Sequence, residues 1–413
     1  MGRAGRRTDC RNPRPPLMRI GMVLGKPFPP DIRLEKEIRA LAAAGHRLFV
    51  LAENRGDEPA REIAAGAIVC RCLPPAAFQR RLDWLRFQAT FRSGYWRNRI
   101  ARFVQQNRLE ALHVHDLPLV GTALEIAASR GLPLVADLHE NYPAAKQLWS
   151  EGSRDPLVWF GDDPRRWERY ERRVLPLADR VITVVDEAAE RLVSAGTVSA
   201  ERMTVVSNVE ELEWFDALAD ATTAGENCVR LVYVGGVRPH RGLDQVVRAL
   251  AELPQGLDVR LRIVGARGRY GRELAALAQE CGVGDRVELV EWQPLTAIPN
   301  TIRKCDIGLV PHRKHAHTDA TIPHKLFQYM LASRPVIVSN CRPLARIVRE
   351  TDAGLVFESG NVSELARRIA ELAANPGLRE EMGRRGRAAA AARYNWETEG
   401  QKLVALYDKI SAS

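Results

Sequence analysis

The sequence predicts an α/β protein of two doubly wound, Rossmann-like domains facing each other across a cleft. Three observations predict it. A length of 413 residues accommodates two domains of about 200 residues each. A strand–helix–strand rhythm starts at Met18, and a second one starts at Val229. Between them, residues 216–228 are rich in Ala, Thr and Gly and read as a linker. The expected division is a basic leader at 1–17, a first domain at 18–215, the linker at 216–228, a second domain at 229–395 and a final helix at 396–413.

The leader, MGRAGRRTDCRNPRPPL, carries arginine and proline without the apolar stretch of a secretory signal. It is expected to be disordered, with Met18 as an alternative start. Residues 19–24 are apolar and predict the first strand, followed by a breaker-rich loop from Gly25 to Pro30. Residues 34–44 predict a helix stopped by Gly45, and 47–52 the next strand. So compact a unit implies a right-handed crossover and a parallel sheet. Buried strands are expected at 111–115, 134–138 and 180–185, with a short one near 204–207. In the second series, strands are expected at 230–234, 259–264, 287–290, 307–310, 336–338 and 355–357. Helices are expected there at 243–253, 272–281 and 325–331, and Asn361 with Glu364 forms a capping box before a helix at 365–373.

Hydrophobic residues at 46% and charged residues at 27% exclude a disordered or fibrous chain. No apolar run approaches the roughly 18–20 residues of a membrane-spanning helix. The net charge of +10 favours acidic partners such as nucleotide phosphates or anionic lipid. The seven cysteines are odd in number and scattered, unlike a disulfide framework, and Cys70-Arg71-Cys72 lacks the second pair of a zinc site. Reduced thiols in the cytoplasm are the expectation.

The stretch from Phe78 to Arg108 departs from the α/β rhythm. It holds eight arginines against one acid, Asp83, interleaved with Phe78, Trp84, Phe87, Phe91, Tyr95, Trp96 and Phe103. Two readings stay open: a solvated basic face over an aromatic core, or a helical element lying on an anionic membrane surface, here the inner face of the cytoplasmic membrane. No recognition motif for nucleic acid accompanies the charge, so nucleic acid is not an expected partner.

Three stretches carry candidate chemistry. Gly235-Gly236 follows a buried strand and precedes Arg238, His240 and Arg241, so backbone N–H groups and two arginines can approach a phosphate. The pattern is neither G-x-G-x-x-G nor a P-loop. His115-Asp116 and His139-Glu140-Asn141 follow predicted first-domain strands, where polar clusters tend to be functional. His139 and Glu140 can hydrogen-bond a polar ligand or move protons. The third stretch, HTDATIPHKLFQYMLASRPVIVSN, starts a helix after Pro323 and places Lys325 in its first turn, a plausible anion site beside a strand.

From Met18 to the C-terminus the chain resembles a family 4 (group 1) retaining glycosyltransferase of the GT-B fold. MRIGMVLGKPFPPDIRLEKEIRALAAAGHRLFVLA resembles its first strand–loop–helix, YVGGVRPHRGLD its diphosphate loop, and IPHKLFQYMLASRPVIVSN its donor helix. AGLVFESGNVSELARRI resembles the following helix, and RYNWETEGQKLVALYDKI a last helix that crosses back to the first domain. The resemblance implies transfer of a sugar from a nucleotide-sugar to a glycan or lipid-linked acceptor, with retention, in polysaccharide biosynthesis. It implies no metal and no cofactor, in keeping with the lack of a D-x-D motif. It implies catalytic roles for His139, Arg241 and Lys325, and donor binding by Gly235, Gly236, Arg238, Thr321, His324 and Gln328. His115, Asp116, Glu140 and Asn141 are the acceptor-side candidates.

Three positions depart from the family pattern, in two places. Gly236 stands where an arginine is common, and Ala320 and Gln328 stand where two glutamates eight residues apart are common. Asp319 is the carboxylate next to the first of these. The departures keep two alternatives open: a nucleotide-sugar epimerase, which needs no acceptor, and a non-catalytic nucleotide-sugar-binding partner.

Overall fold

The protein is represented by a computed structural model, which describes residues 17–150, 161–218 and 228–412. The expected leader apart from Leu17, and most of the expected linker, lie outside the described residues. The first sheet has eight strands: β1 (Arg19–Pro27), β2 (Arg47–Glu53), β3 (Arg61–Ala64), β4 (Ala67–Cys72), β5 (Ala111–His115), β6 (Leu134–Leu138), β7 (Arg180–Thr183) and β8 (Met203–Val205). Their spatial order is β3-β4-β2-β1-β5-β6-β7-β8, parallel except for the β3/β4 pair. The second sheet has six parallel strands: β9 (Val229–Val234), β10 (Val259–Val264), β11 (Val287–Val290), β12 (Ile307–Val310), β13 (Val336–Ser339) and β14 (Gly354–Phe357). Their order is β11-β10-β9-β12-β13-β14.

The central strands are near-continuous apolar runs because helices cover both faces of each sheet. β5 and β6 are buried at every residue. Strand order reverses between β1 and β5 in one sheet and between β9 and β12 in the other. These two reversals open crevices at the carboxyl ends of the strands, where such sheets hold ligands.

Caps set the helices that matter most for the site. Asp31 accepts a hydrogen bond from Leu34 N (3.0 Å) and starts the helix Ile32–Ala43. Asn395 accepts one from Thr398 N (2.9 Å) and starts the helix Trp396–Ser411. That last helix packs on Ile32–Ala43 and brings the buried Tyr407 hydroxyl to His113 Nδ1 in β5 (3.0 Å). Further ties join the halves. Arg346 pairs with Glu187 (2.8 Å), Asn141 Nδ2 donates to Ala316 O (3.2 Å), and Asn208 Nδ2 donates to Ile322 O (3.2 Å).

Several local expectations need correction. β1 runs on to Pro27, into the expected loop, because Pro27 still pairs with Glu53. β3 and β4 were not expected. Their tight turn uses Ala65 (φ 53°) and Gly66 (φ 90°), and alanine at a left-handed position carries no turn signal. The helix Leu212–Ala217 enters the expected linker. The Asn361 cap accepts from Glu364 N (2.9 Å), but the Glu364 carboxylate accepts from Glu358 N (2.8 Å), so the reciprocal half of the capping box is missing.

Residues 78–108 form most of two helices, Ala77–Thr90 and Gly94–Asn107. The aromatic and apolar residues of this stretch divide into a buried set and an exposed set. Phe91, Trp96 and Phe103 are buried, and the Phe91 ring stacks on Tyr170 at 4.3 Å. Phe78, Leu82, Trp84 and Leu85 are exposed, with Phe78 at 72%.

One glycine ties β12 to the site. A Cβ on Gly308 would lie 2.3 Å from the Tyr329 ring, whose hydroxyl accepts from Val234 N (3.0 Å) at the end of β9. Gly308→Ala should therefore cost about 1–3 kcal/mol through overpacking, and thermal unfolding would show it as a lowered Tm. An unchanged Tm would contradict the packing described.

Candidate functional site

The two crevices meet in one cleft of about 770 Å³. From the second domain come Gly235, Arg241, Thr321, His324, Lys325 and Gln328. From the first come His139 and Glu140, with Asp31 and Arg33 at the start of the helix Ile32–Ala43.

The second-domain wall is an anion trap. Gly235 adopts φ 123°, and a Cβ there would lie 3.2 Å from Lys325 Nζ, so glycine lets the lysine reach the strand end. Lys325 is buried and stands over the Tyr233 ring, its Nζ 3.9 Å from the centroid. It makes no ion pair among the described residues. Burial, and then repulsion from Arg241, hold its pKa well below the usual lysine range. Arg241 Nη1 lies 3.2 Å from His312 Nε2 and likewise has no carboxylate partner among the described residues. The nearby histidines stay neutral. Burial and Arg241 push His240 down to about 3 and His317 down to about 4. Gly242 (φ 68°) closes the loop, with Pro311 O only 2.0 Å from where a Cβ would sit.

On the first-domain wall, by contrast, Asp31, Arg33 and His139 each have an oppositely charged partner. Asp137 is wholly buried at the end of β6. Arg33 grips it through Nη2–Oδ1 (3.0 Å) and Nε–Oδ2 (3.2 Å), and His139 Nε2 lies 3.0 Å from Oδ2. Burial opposes charge on His139, but Asp137 and then Asp116 overcome it and lift its pKa to about 9. His139 is therefore an imidazolium at neutral pH. Asp116, with its Oδ1 3.7 Å from His139 Nδ1, adopts φ 65°, a conformation that non-glycine residues tolerate mainly at functional sites. Burial, then repulsion by Asp116, pushes Glu140 up to about 7.

Behind His139, Glu37, His113, His115 and Asp137 bring ligand-type atoms within 4.8 Å of one another. The set does not fit a metal. Arg33 already lies against both carboxylates, at 2.9 Å from Glu37 and 3.0 Å from Asp137. The His113 and His115 rings stack at 4.6 Å with 15° between planes, so one ion cannot lie in the plane of both.

The third side of the cleft is the crossover between domains. Gln328 Nε2 donates to Glu210 Oε1 (2.8 Å), and Glu210 also pairs with Lys36 (3.0 Å) and His324 (3.3 Å). Gln328 thus borrows a carboxylate from the other domain. Asp319 does not serve the cleft. Its Oδ1 accepts from Arg342 N (2.8 Å) and Lys314 Nζ (3.2 Å).

Among the expected donor residues, Gly236 and Arg238 are exposed and lie off the cleft wall. Asn141 caps the turn at Ala144 and bridges to Ala316. His115 and Asp116 line a neighbouring first-domain cavity. Sequence reasoning missed Arg33 and Glu210, whose partners Asp137 and Gln328 are distant in the chain, and it placed Asp137 in the cluster with His139 at a predicted strand end without giving it a role. It also missed Trp292, an exposed aromatic at the cleft edge, 58% accessible, just beyond β11. Its position after a strand end was the available signal.

Comparison with protein families agrees with this geometry. The model described as "Glycosyltransferase Family 4" matches residues 34–213, and that described as "Glycosyl transferases group 1" matches 216–389. The chain belongs to the group 1, family 4 retaining glycosyltransferases. A D-inositol 3-phosphate glycosyltransferase from Saccharomonospora viridis is 26% identical over 385 residues, covering 89% of this chain and 85% of the relative. Across the curated relatives the match spans from 58% to 85% of their own length. Sucrose-phosphate synthase from Thermosynechococcus elongatus superposes with a TM-score of 0.76 at 18% identity, over 96% of this chain and 99% of that one. Anabaena HepE, solved in complex with UDP, gives 0.69 at 16% identity, over 95% and 100%. The fold is therefore GT-B, and the glycosyltransferase draws on a nucleotide-sugar donor.

A donor diphosphate docked beside the unpaired Lys325 would make binding sensitive to protons. A diphosphate beside Lys325 raises a pKa that burial and Arg241 hold down, so binding at a pH between the free and bound values takes up protons. Calorimetry with UDP in buffers of different ionisation enthalpy should show net uptake that Lys325→Met reduces. Uptake unchanged by that substitution would contradict the assignment.

Proposed function

We propose that this glycosyltransferase moves a sugar, with retention and without a metal, from its nucleotide-sugar to a lipid-linked saccharide at an anionic membrane surface, in polysaccharide biosynthesis. The observation that carries the donor half is the pair of uncompensated cations, Lys325 and Arg241, at the second-domain strand ends opposite the imidazolium of His139. The bond that breaks joins the sugar's anomeric carbon to the β-phosphate oxygen, so negative charge develops on the departing diphosphate. Arg241, Lys325 and the start of the helix His324–Leu331 stabilise that charge where it forms. His139 lies across the cleft, where it stabilises the same phosphate and orients the sugar. The new bond joins the anomeric carbon to the acceptor oxygen on the face the diphosphate leaves. The acceptor's proton passes to the departing phosphate. Gln328, its amide nitrogen engaged by Glu210, turns its carbonyl to the nucleoside, and Trp292 offers a face for the base.

The membrane half rests on the helix Ala77–Thr90. Its exposed Phe78, Leu82, Trp84 and Leu85 lie among Arg80, Arg81 and Arg86. Beside it, Arg86, Arg99 and Arg102 line a groove of about 450 Å³ against the neighbouring helix. Apolar residues flanked by arginine suit a surface of anionic headgroups. No helix among the described residues is long and apolar enough to cross a membrane.

Two outcomes test this reading. Arg241→Ala and Lys325→Ala should each lower transfer by at least about a hundredfold while the protein remains folded, and wild-type transfer should persist in EDTA. Turnover near wild type in both variants, or loss in EDTA reversed by a divalent metal, would sink it. Co-sedimentation with vesicles containing phosphatidylglycerol should exceed that with phosphatidylcholine alone and fall when Arg80, Arg81 and Arg86 become Glu. Equal co-sedimentation with both vesicle types would remove the membrane half.

A further inference from the structure

The carboxylates on the wall of the donor cleft are those of Asp31, Glu35 and Glu140. Two of them are already partnered. Lys26 pairs with Asp31 at 2.7 Å, and Asp31 also accepts from Leu34 N at 3.0 Å. Glu35 Oε1 accepts from Asp31 N at 3.1 Å, closing the cap of the helix Ile32–Ala43. Glu140 is half-buried, yet it makes no hydrogen bond and no salt bridge among the described residues. We propose that Glu140 is a specificity-determining residue, whose carboxylate accepts a hydrogen bond from a hydroxyl of the sugar being transferred. This inference rests on the glycosyl-transfer reading above and assigns the group that recognises the sugar.

The chemistry of the group limits its partner. An ionised carboxylate offers acceptors and no donor, so it repels a diphosphate and seeks an O–H or N–H. Kept half out of water without one it costs stability, which a donor on the ligand recovers. A nucleotide-sugar carries such donors on its base, its ribose and its sugar. The first two belong at the Trp292 and Gln328 end of the cleft in the reading above. The sugar hydroxyls remain.

Position selects the same partner. Two hydrogen bonds straddle Glu140: Thr321 Oγ1 donates to His139 O (3.3 Å), and Asn141 Nδ2 donates to Ala316 O (3.2 Å). The residues on either side of it are thereby fastened to the stretch 316–321 of the second domain. That stretch brings no carboxylate of its own to the cleft. Ala320 is apolar and buried, and Asp319 is committed to Arg342 and Lys314. Glu140 supplies one across the junction. The charges that act on it are those of Asp116, Arg241, His139 and Lys26. Arg241 and His139 are the cations that face the diphosphate from the two walls, so Glu140 stands near where diphosphate gives way to sugar. Asp116 opens instead on the neighbouring first-domain cavity, which Glu140 does not line. The pKa of about 7, raised by burial and then by Asp116, is that of a carboxyl short of donors.

The arrangement has a consequence for selectivity. The nucleotide is held by the second domain and the sugar is read by the first, so the sugar is checked only when both walls engage one ligand. A sugar that lacks the hydroxyl, or carries it acylated, leaves the carboxylate unpaired and loses the contact.

Calorimetry on the full chain tests this with the wild type, Glu140→Gln and Glu140→Ala. It compares UDP with UDP-glucose, UDP-galactose and UDP-N-acetylglucosamine, and GDP with GDP-mannose. At least one nucleotide-sugar should bind about tenfold more weakly to Glu140→Ala than to wild type, with Glu140→Gln between them. The matching free nucleotide should bind as before or more tightly, since loss of a carboxylate lessens repulsion of the diphosphate; its binding also shows that the variants are folded. Analogues of the responding donor, deoxygenated at one position at a time, should lose the effect at a single position, where wild type and Glu140→Ala bind alike. Three results would overturn the proposal: the free nucleotide weakens as much as its sugar in both variants, no nucleotide-sugar weakens, or every deoxy analogue keeps the tenfold loss. Wild-type protein that bound neither nucleotides nor nucleotide-sugars would strike the donor reading itself, and Glu140 with it.

Discussion

The grip of Arg33 on Asp137 is the constraint from which the first-domain half of the site follows. A carboxylate buried without a partner costs several kcal/mol in desolvation, and folding tolerates it only when hydrogen bonds and opposite charge surround it. Asp137 has both. Arg33 supplies a two-point fork and reaches Val206 O (2.9 Å) and Asn208 Oδ1 (3.1 Å) with its remaining nitrogen. One guanidinium thereby ties the start of the helix Ile32–Ala43, the end of β6 and the path toward the second domain. His139 inherits its place and its charge from the same carboxylate. The Tyr407–His113 contact adds the final helix, which also packs on Ile32–Ala43, to this assembly.

The opposing wall depends on the reverse condition. Lys325 and Arg241 lie near each other without a carboxylate to share, an arrangement that costs stability and that a bound anion relieves. Placing uncompensated positive charge on one domain and compensated charge on the other divides the work. In the proposed function, a diphosphate in the cleft adds negative charge where the folded protein lacks it, opposite the imidazolium of His139. Transition-state charge meets groups already oriented toward it.

Much of this was legible from local pattern, and the reasons are specific. The expected strands at 111–115, 134–138, 259–264, 287–290 and 307–310 coincide with β5, β6, β10, β11 and β12 residue for residue: β5, β6 and β12 are buried throughout, whereas β10 (VRLRIV) and the edge strand β11 (VELV) alternate apolar and charged residues. β3 was hidden because Arg61–Ala64 is a half-exposed edge strand with no apolar run. The loop from Gly235 to Arg241 and the lysine of the donor helix were visible as residue types at strand ends. Arg33 and Glu210 were not, since Asp137 and Gln328, which they hold, lie more than 100 residues away in the chain. The resemblance named a family, yet only coordinates could show that Gly236 and Arg238 face solvent while Arg241 turns inward.

Gln328 shows why a departure from a family pattern can belong to a consistent design. A glutamate at this position would put a second carboxylate about 3 Å from Glu210 Oε1, and two carboxylates so close cannot both stay ionised in a buried site. Glu210 itself remains charged, because Lys36 and His324 offset its burial and hold its pKa at about 2. An amide at 328 removes the repulsion and adds a donor to the same oxygen. Its orientation is then no longer free: with Nε2 committed to Glu210, the carbonyl is the end left for a hydroxyl in the cleft. Acceptance of a hydroxyl proton, the service a glutamate would perform, is retained, while the negative charge is moved to a residue of the other domain. One hydrogen bond, Gln328 to Glu210, thus belongs both to the cleft wall and to the set of contacts that join the domains.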